Sequence, residues 1–177
     1  AEVDDTEAMI TKQSGQVRGV LKVNAPPGFA HRHIAPHISL FLDDYPDVVI
    51  EMTTAENDAV HVLSTADIHI KISESPTASG NQIRILASNK RILTASPDYL
   101  AKYGAPQTVE DLGHHRLVTL DYGHRNNDWH FRTETGALET FRADGNIRLD
   151  NGDALLRTAL NGGGLCMLPS YIAGQHV

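Results

Sequence analysis

Between Gly19 and Ser73 strand-like and helix-like runs alternate with only short connections, and few folds accommodate that order. GVLKVNA (19–25) alternates Leu21, Val23 and Ala25 with Val20, Lys22 and Asn24, the two-residue period of a strand. Pro26-Pro27-Gly28 ends it, since proline brings no ladder donor and glycine frees the backbone. Ile34, Ile38, Phe41, Leu42 and Tyr45 then recur at helical spacing, which predicts a helix over about 34–45 with one buried face and Pro36 near its start. Pro46-Asp47 breaks that helix, and VVIEMTT (48–54) is the next strand. Asn57-Asp58 can cap a short helix through Ala66, with Val60 and Leu63 inward. DIHIKIS (67–73), alternating Ile68, Ile70 and Ile72, makes a third strand. This β-α-β-α-β order predicts a mostly parallel sheet wound with helices on both faces. Right-handed crossovers place the first strand centrally, in the order 2-1-3.

The second half repeats the theme less regularly. After the loose stretch 74–81 come two strand-like runs, QIRILAS (82–88) and RILTAS (91–96). Ser96-Pro97-Asp98 is a strong helix start, with a hydroxyl cap, a proline at the first helical position and an acid in the first turn; Gly104 ends that helix. Thr108 and Asp111 form a capping box with Asp in place of Glu. RLVTLDY (116–122) is a strand, 129–142 a hairpin turning near Thr135-Gly136, and NIRLD (146–150) leads into a helix from about Gly152. That helix turns Leu155, Leu156, Ala159 and Leu160 inward and stops at Gly162. LCMLP (165–169) is a last short strand before the start of another helix. Two α/β lobes joined near 86–90 are expected: 1–18 as a linker-helix end or tail, 19–87 as the first lobe and 88–177 as the second. In 1–18 only Val3, Ile10 and Val17 trace a heptad, too short for a coiled coil.

Charge and composition narrow the function. The 177 residues carry 15 Lys+Arg against 22 Asp+Glu, a formal net charge of −7, so these residues are a poor match for nucleic-acid phosphates. One cysteine builds neither an internal disulfide nor a thiolate zinc site, which fits a reducing compartment. No apolar run approaches the roughly 18 residues of a membrane span. AEVDDTEAM carries acids where a signal peptide would be basic and then apolar.

No catalytic constellation stands out. His33 and His37, with His31 nearby, have spacing that can share a metal, but no third ligand with second-shell support is evident, and solvent-facing imidazoles are the simpler reading. Cys166, between Leu165 and Met167, reads as a small buried hydrophobe. There is no G-x-S-x-G elbow, and Gly162-Gly163-Gly164 lacks the Lys-Ser/Thr of a phosphate loop. What remains is the crevice beyond the carboxyl ends of the strands, where an open parallel sheet binds ligands. The segments there are 26–29, 53–55, 73–74, 121–122 and 150–152. They suit a compact polar or anionic ligand, and equally suit ordinary turn and cap chemistry.

Several phrases are jointly more specific: GVLKVNAPPGF, YPDV, VLSTADIHIKI, ASPDYL, DLGHHR and NGDALL…GGGL…LP. In this order and separation, over about 17–177, they resemble the effector-binding domain of LysR-type transcriptional regulators. The resemblance implies a two-lobed, type 2 periplasmic-binding-protein-like fold in a cytoplasmic bacterial regulator, with no catalysis, cofactor or metal. It implies a small organic effector, a carboxylate or an aromatic compound, held between the lobes. By family position Pro27, Gly28, Phe29, Thr54 and Asn151 match effector contacts; Ser73 and Asp121, at the strand ends, complete the expected set. It further implies a homodimer in which helix 34–45 of one subunit faces helix 152–162 of the other, and a tetramer in the full-length protein. DNA would be bound only through an N-terminal winged helix-turn-helix that this sequence does not contain, and the family's return of the chain to the first lobe is also expected beyond it. The alternatives are a periplasmic-type solute-binding protein for a small organic anion, and an enzyme on the same fold using Asp121 and Asp150.

Overall fold

Strand β1 (Gly19–Ala25) lies between β2 (Val48–Thr54) and β3 (Ile68–His69), both parallel to it, so the first sheet has the order β2-β1-β3 that right-handed crossovers demand. The computed structural model describes residues 17–55, 66–73, 82–120, 127–133 and 135–174. The expected helix after Asn57 lies outside them. The chain divides into two compact units, Ala1–Arg84 and Ile85–Val177.

In the first unit the helical segment starts at Pro27 rather than near Ile34. Pro26 is extended (φ −58°, ψ 139°), and Pro27 occupies the first helical position, where its fixed φ and missing N–H are harmless. Helix α1 (Pro27–Phe29) widens into a π turn at Ala30–Ile34, tightens into a 3-10 turn at Ala35–His37, and becomes regular again as α2 (Ile38–Asp44). Pro36 accounts for the irregularity: it has no N–H to donate to Arg32 four residues back, and its ring needs room beside that carbonyl. The expected apolar face is only half covered. Ile34, Ile38, Phe41 and Leu42 are half-buried, Tyr45 is 40% exposed, and no residue of α2 is fully buried. The third strand is also shorter than expected, pairing only at Ile68 and His69, with Ile68 46% exposed.

The second unit holds the larger core. Its sheet has the order β4-β9-β5-β8, with β4 (Arg91–Thr94) antiparallel to β9 (Leu165–Pro169), and β5 (Leu117–Leu120) parallel to both β9 and β8 (Ile147–Leu149). Strand alternation sends the side chains of β9 into two cores. Cys166 and Leu168 join Val118 and the inner face of α4 (Gly152–Leu160) and α5 (Ser170–Ala173). Leu165 and Met167 join Leu117, Tyr99 of α3 (Pro97–Tyr103) and Trp129. Trp129 comes from the antiparallel hairpin β6 (Asp128–Arg132) and β7 (Leu138–Arg142), which turns at Gly136 with φ +85°. Burial on both faces is why LCMLP is apolar at every position.

Most of the caps match the sequence reading. Ser96 Oγ accepts from the Tyr99 amide at 3.2 Å, and Gly104 closes α3 at φ +82°. Asp111 accepts from the Gln107 and Thr108 amides while Thr108 Oγ1 accepts from the Asp111 amide, opening a 3-10 turn at Glu110–His114. In α4, Leu155, Leu156 and Ala159 are buried, but Leu160 is 38% exposed. QIRILAS departs from expectation. Residues 82–90 form no strand and are exposed, with Ile83, Ile85 and Leu86 at 50%, 76% and 65%. Periodicity supplies an apolar face, but a strand also needs a ladder partner, and none is present among the described residues.

Candidate effector site at the strand ends

Register brings the predicted first-unit contacts to one end of the sheet. Ala25 pairs with Thr54, and the Ala55 amide donates to the Ala25 carbonyl at 3.2 Å, so the chain leaves β1 at Pro26 beside the last residue of β2. The Phe29 and Ala30 amides both donate to the Pro26 carbonyl, at 3.0 and 2.9 Å, which fixes the first helical turn. Pro27, Gly28 and Phe29 are half-buried and Thr54 is exposed. The Gly28 carbonyl accepts from Arg32 Nη1 at 3.4 Å, and the Phe29 ring lies 5.0 Å from that of His33. Ser73 is exposed, beyond the end of β3.

In the second unit, β5 and β8 are parallel through Leu120↔Leu149, and Asn151 follows β8 directly as the N-cap of α4. Its Oδ1 accepts from the Asp153 amide at 2.8 Å and the Ala154 amide at 3.1 Å. The cap uses the oxygen and leaves the side-chain NH2 with no partner among the described residues, a donor suited to a carboxylate. Asp121 lies outside the described residues.

The structure also shows a polar row that sequence reasoning missed. Asn24 pairs in register with Thr53 on one side and His69 on the other, so the three side chains share one face near the carboxyl end of the sheet. Asn24 is 1% exposed; its Nδ2 donates to the Thr53 carbonyl (3.3 Å) and to Thr53 Oγ1 (3.2 Å), while its Oδ1 is buried without a partner among the described residues. Both ring nitrogens of His69 are likewise buried and without a partner among the described residues. Burial, then the nearby charge of Lys71, lowers the His69 pKa and keeps the imidazole neutral at neutral pH. The available signal was a polar residue amid apolar ones: Asn in KVNA, His in IHI.

On the opposite face, an apolar cavity of about 240 Å³ separates β1 and β2 from the helical segment, lined by Leu21, Val23, Ile50, Ile34, Ile38 and Phe41 with His33 and His37. It offers almost nothing polar to orient an anion. His31, His33 and His37 are exposed, and among the described residues no three His, Cys, Asp or Glu side chains are grouped to hold a metal. Among those residues, too, no helix is long and apolar enough to cross a membrane.

Comparison with known proteins agrees with this geometry. The HTH-type transcriptional activator TtdR of Escherichia coli K12 is 28% identical over 166 residues, 93% of this chain and 52% of that protein. The HTH-type transcriptional regulator YcaN of the same organism is 32% identical over 148 residues, 83% of this chain and 48% of the relative. The chain thus spans about half the length of the curated relatives it matches. Among solved structures, CrgA, a LysR-type transcriptional regulator from Neisseria meningitidis, superposes with a TM-score of 0.80 at 24% identity, over 98% of this chain and 58% of that one. The full-length Vibrio cholerae virulence activator AphB gives 0.79 at 21% identity, over 98% and 58%. The fold is therefore the type 2 periplasmic-binding-protein-like α/β fold of LysR regulatory domains. Residues 14–177 match the family described as the LysR substrate binding domain, and this chain belongs to that family.

Proposed function

We propose that this chain is the effector-sensing part of a transcription regulator. A small organic acid or aromatic compound is taken up at the carboxyl ends of the parallel strands and alters DNA binding by a helix-turn-helix elsewhere in the whole protein. Contacts in the first unit are Pro27, Gly28, Phe29, Thr54 and Ser73; those in the second are Asp121 and Asn151. The observation that carries this reading is the Ala25↔Thr54 register within a LysR substrate binding domain. It sets the Pro26–Gly28 turn and the Thr54 hydroxyl side by side at the sheet end where such folds bind ligands. The role is regulatory rather than catalytic, and the setting is cytoplasmic, as DNA binding requires. Curated relatives named as HTH-type regulators disfavour a transport-type solute-binding protein.

In the whole protein the chain pairs with a second copy through the helical segments at 34–45 and 152–162, and the dimers associate further into tetramers. Helix α4, amphipathic with Arg157 and Leu160 outward, fits such a contact.

The test is a thermal-unfolding titration with a panel of carboxylates and aromatic acids. A binder raises the melting temperature in a saturable way, and Thr54→Ala weakens that rise. If no compound moved the melting temperature, and operator binding by the whole protein ignored all of them, the sensing role would be refuted.

A further inference from the structure

The Thr53–Asn24–His69 row has hydrogen-bonding capacity that the described residues leave unused. Asn24 Oδ1 is a buried acceptor with no donor among the described residues. His69, neutral, carries one N–H and one lone pair, and neither ring nitrogen has a partner among the described residues. Burying such groups unsatisfied costs about 1–3 kcal/mol each, so native proteins rarely leave three together. The two residues are register partners on adjacent parallel strands, and adjacent strands lie about 4.8 Å apart. One small group can therefore meet both side chains. It must donate to the Asn24 oxygen and accept from the imidazole N–H, as a hydroxyl does and a carboxylate does not. The row lies one residue before both strands end at Ala25 and Thr54, its side chains on the sheet face opposite that of Thr54, so a ligand seated across the strand ends reaches it from the other side of the sheet.

We propose that Asn24 and His69 form a subsite for a hydroxyl group on the effector, so that this chain selects a hydroxylated small organic acid over its deoxy counterpart. This rests on the effector-sensing reading above and specifies the chemistry of that site. Thr53 positions the amide: by accepting both Nδ2 contacts it turns Oδ1 toward the subsite. An ordered water has the same hydrogen-bonding chemistry as a hydroxyl, and the experiment separates the two.

Acids differing by one hydroxyl are titrated against the protein: malate and succinate, lactate and propionate, salicylate and benzoate. Binding is read by thermal shift, and the His69 ring nitrogens are followed by 15N NMR. In at least one pair the hydroxylated acid is expected to bind about tenfold more tightly, the worth of one to two net hydrogen bonds, and to shift the His69 ring resonances. His69→Leu and Asn24→Ala abolish the preference. His69→Gln, which retains a donor and an acceptor, keeps most of it, and circular dichroism verifies that each variant is folded. If acids stabilise the protein but the preference is absent, survives both substitutions, or leaves the His69 nitrogens unmoved, the position holds only water and the proposal fails while sensing stands. If no acid binds at all, the sensing reading fails and takes this one with it.

Discussion

Thr94 Oγ1 and Cys166 Sγ lie 3.2 Å apart across the antiparallel pairing of β4 and β9, and Cys166 is completely buried beneath α4. Burial pushes the thiol pKa up, an effect only partly offset by the Thr94 contact. The native thiol should therefore resist disulfide reagents at pH 8 and react with one equivalent once denatured. The pH dependence has a definite sign. The unfolded thiol ionises first, near the ordinary value of about 8.5, so this group's contribution is intact below that value and declines as pH rises beyond it. Urea midpoints from pH 7 to 10 should fall less steeply in Cys166→Ala than in the parent.

Asn151 joins two roles that substitutions can separate. Asn151→Ala removes the cap of α4 and should cost about 1 kcal/mol in urea unfolding, together with effector binding. Asn151→Asp keeps the capping oxygen and adds a charge that the helix N-terminus favours, so stability should hold. It loses the side-chain donors and repels an anion, so the ligand-induced melting shift should shrink sharply. Equal shifts in parent and Asn151→Asp would remove Asn151 from the site.

Gly164 is irreplaceable for a local reason. Its φ is +145°, and a Cβ there would collide with the carbonyl carbon and oxygen of Arg116. The same Arg116 is held over the rings of Tyr99 and Tyr103 and donates to the Gly162 carbonyl at 3.1 Å, so it has little room to retreat. Gly164→Ala should destabilise the protein by about 2 kcal/mol or more, measured by chemical denaturation.

Asp111 supplies an acid-sensitive contribution. Backbone hydrogen bonds from Thr108 and Gln107 hold its carboxyl below the usual range. A lowered folded pKa gives stability that is present above the unfolded value, about 3.9, and is lost as pH falls through the folded one. Denaturation midpoints should therefore drop on acidification below about pH 4, and Asp111→Asn should flatten that limb while lowering the midpoint at pH 7.

Legibility in the sequence followed interaction range. Ser96 and Thr108 accept from amides within a few residues and Gly104 ends its helix through its own φ, so their identities announced those ends; the cap that Asn151 makes on α4 emerged only from the structure. Parallel order in the first sheet was readable because short connections leave few crossovers. The full length of the third strand and the strand status of QIRILAS were not readable, because each depends on a partner elsewhere in the chain. Asn24 and His69 escaped notice because polar residues in strands usually mark a solvent face. Only register shows that Asn24 is buried between Thr53 and His69.

By itself, then, the sequence determined the periodicities, the caps and turns, the α/β class and the family phrases, all consequences of residue type at short separation. The tertiary structure alone decided which side chains share a face: that LCMLP serves two cores at once, that Pro36 loosens the helical segment it was expected to begin, and that an amide and an imidazole lie side by side with hydrogen bonds to spare. Register and burial are set by contacts between distant segments, and no local spacing encodes them.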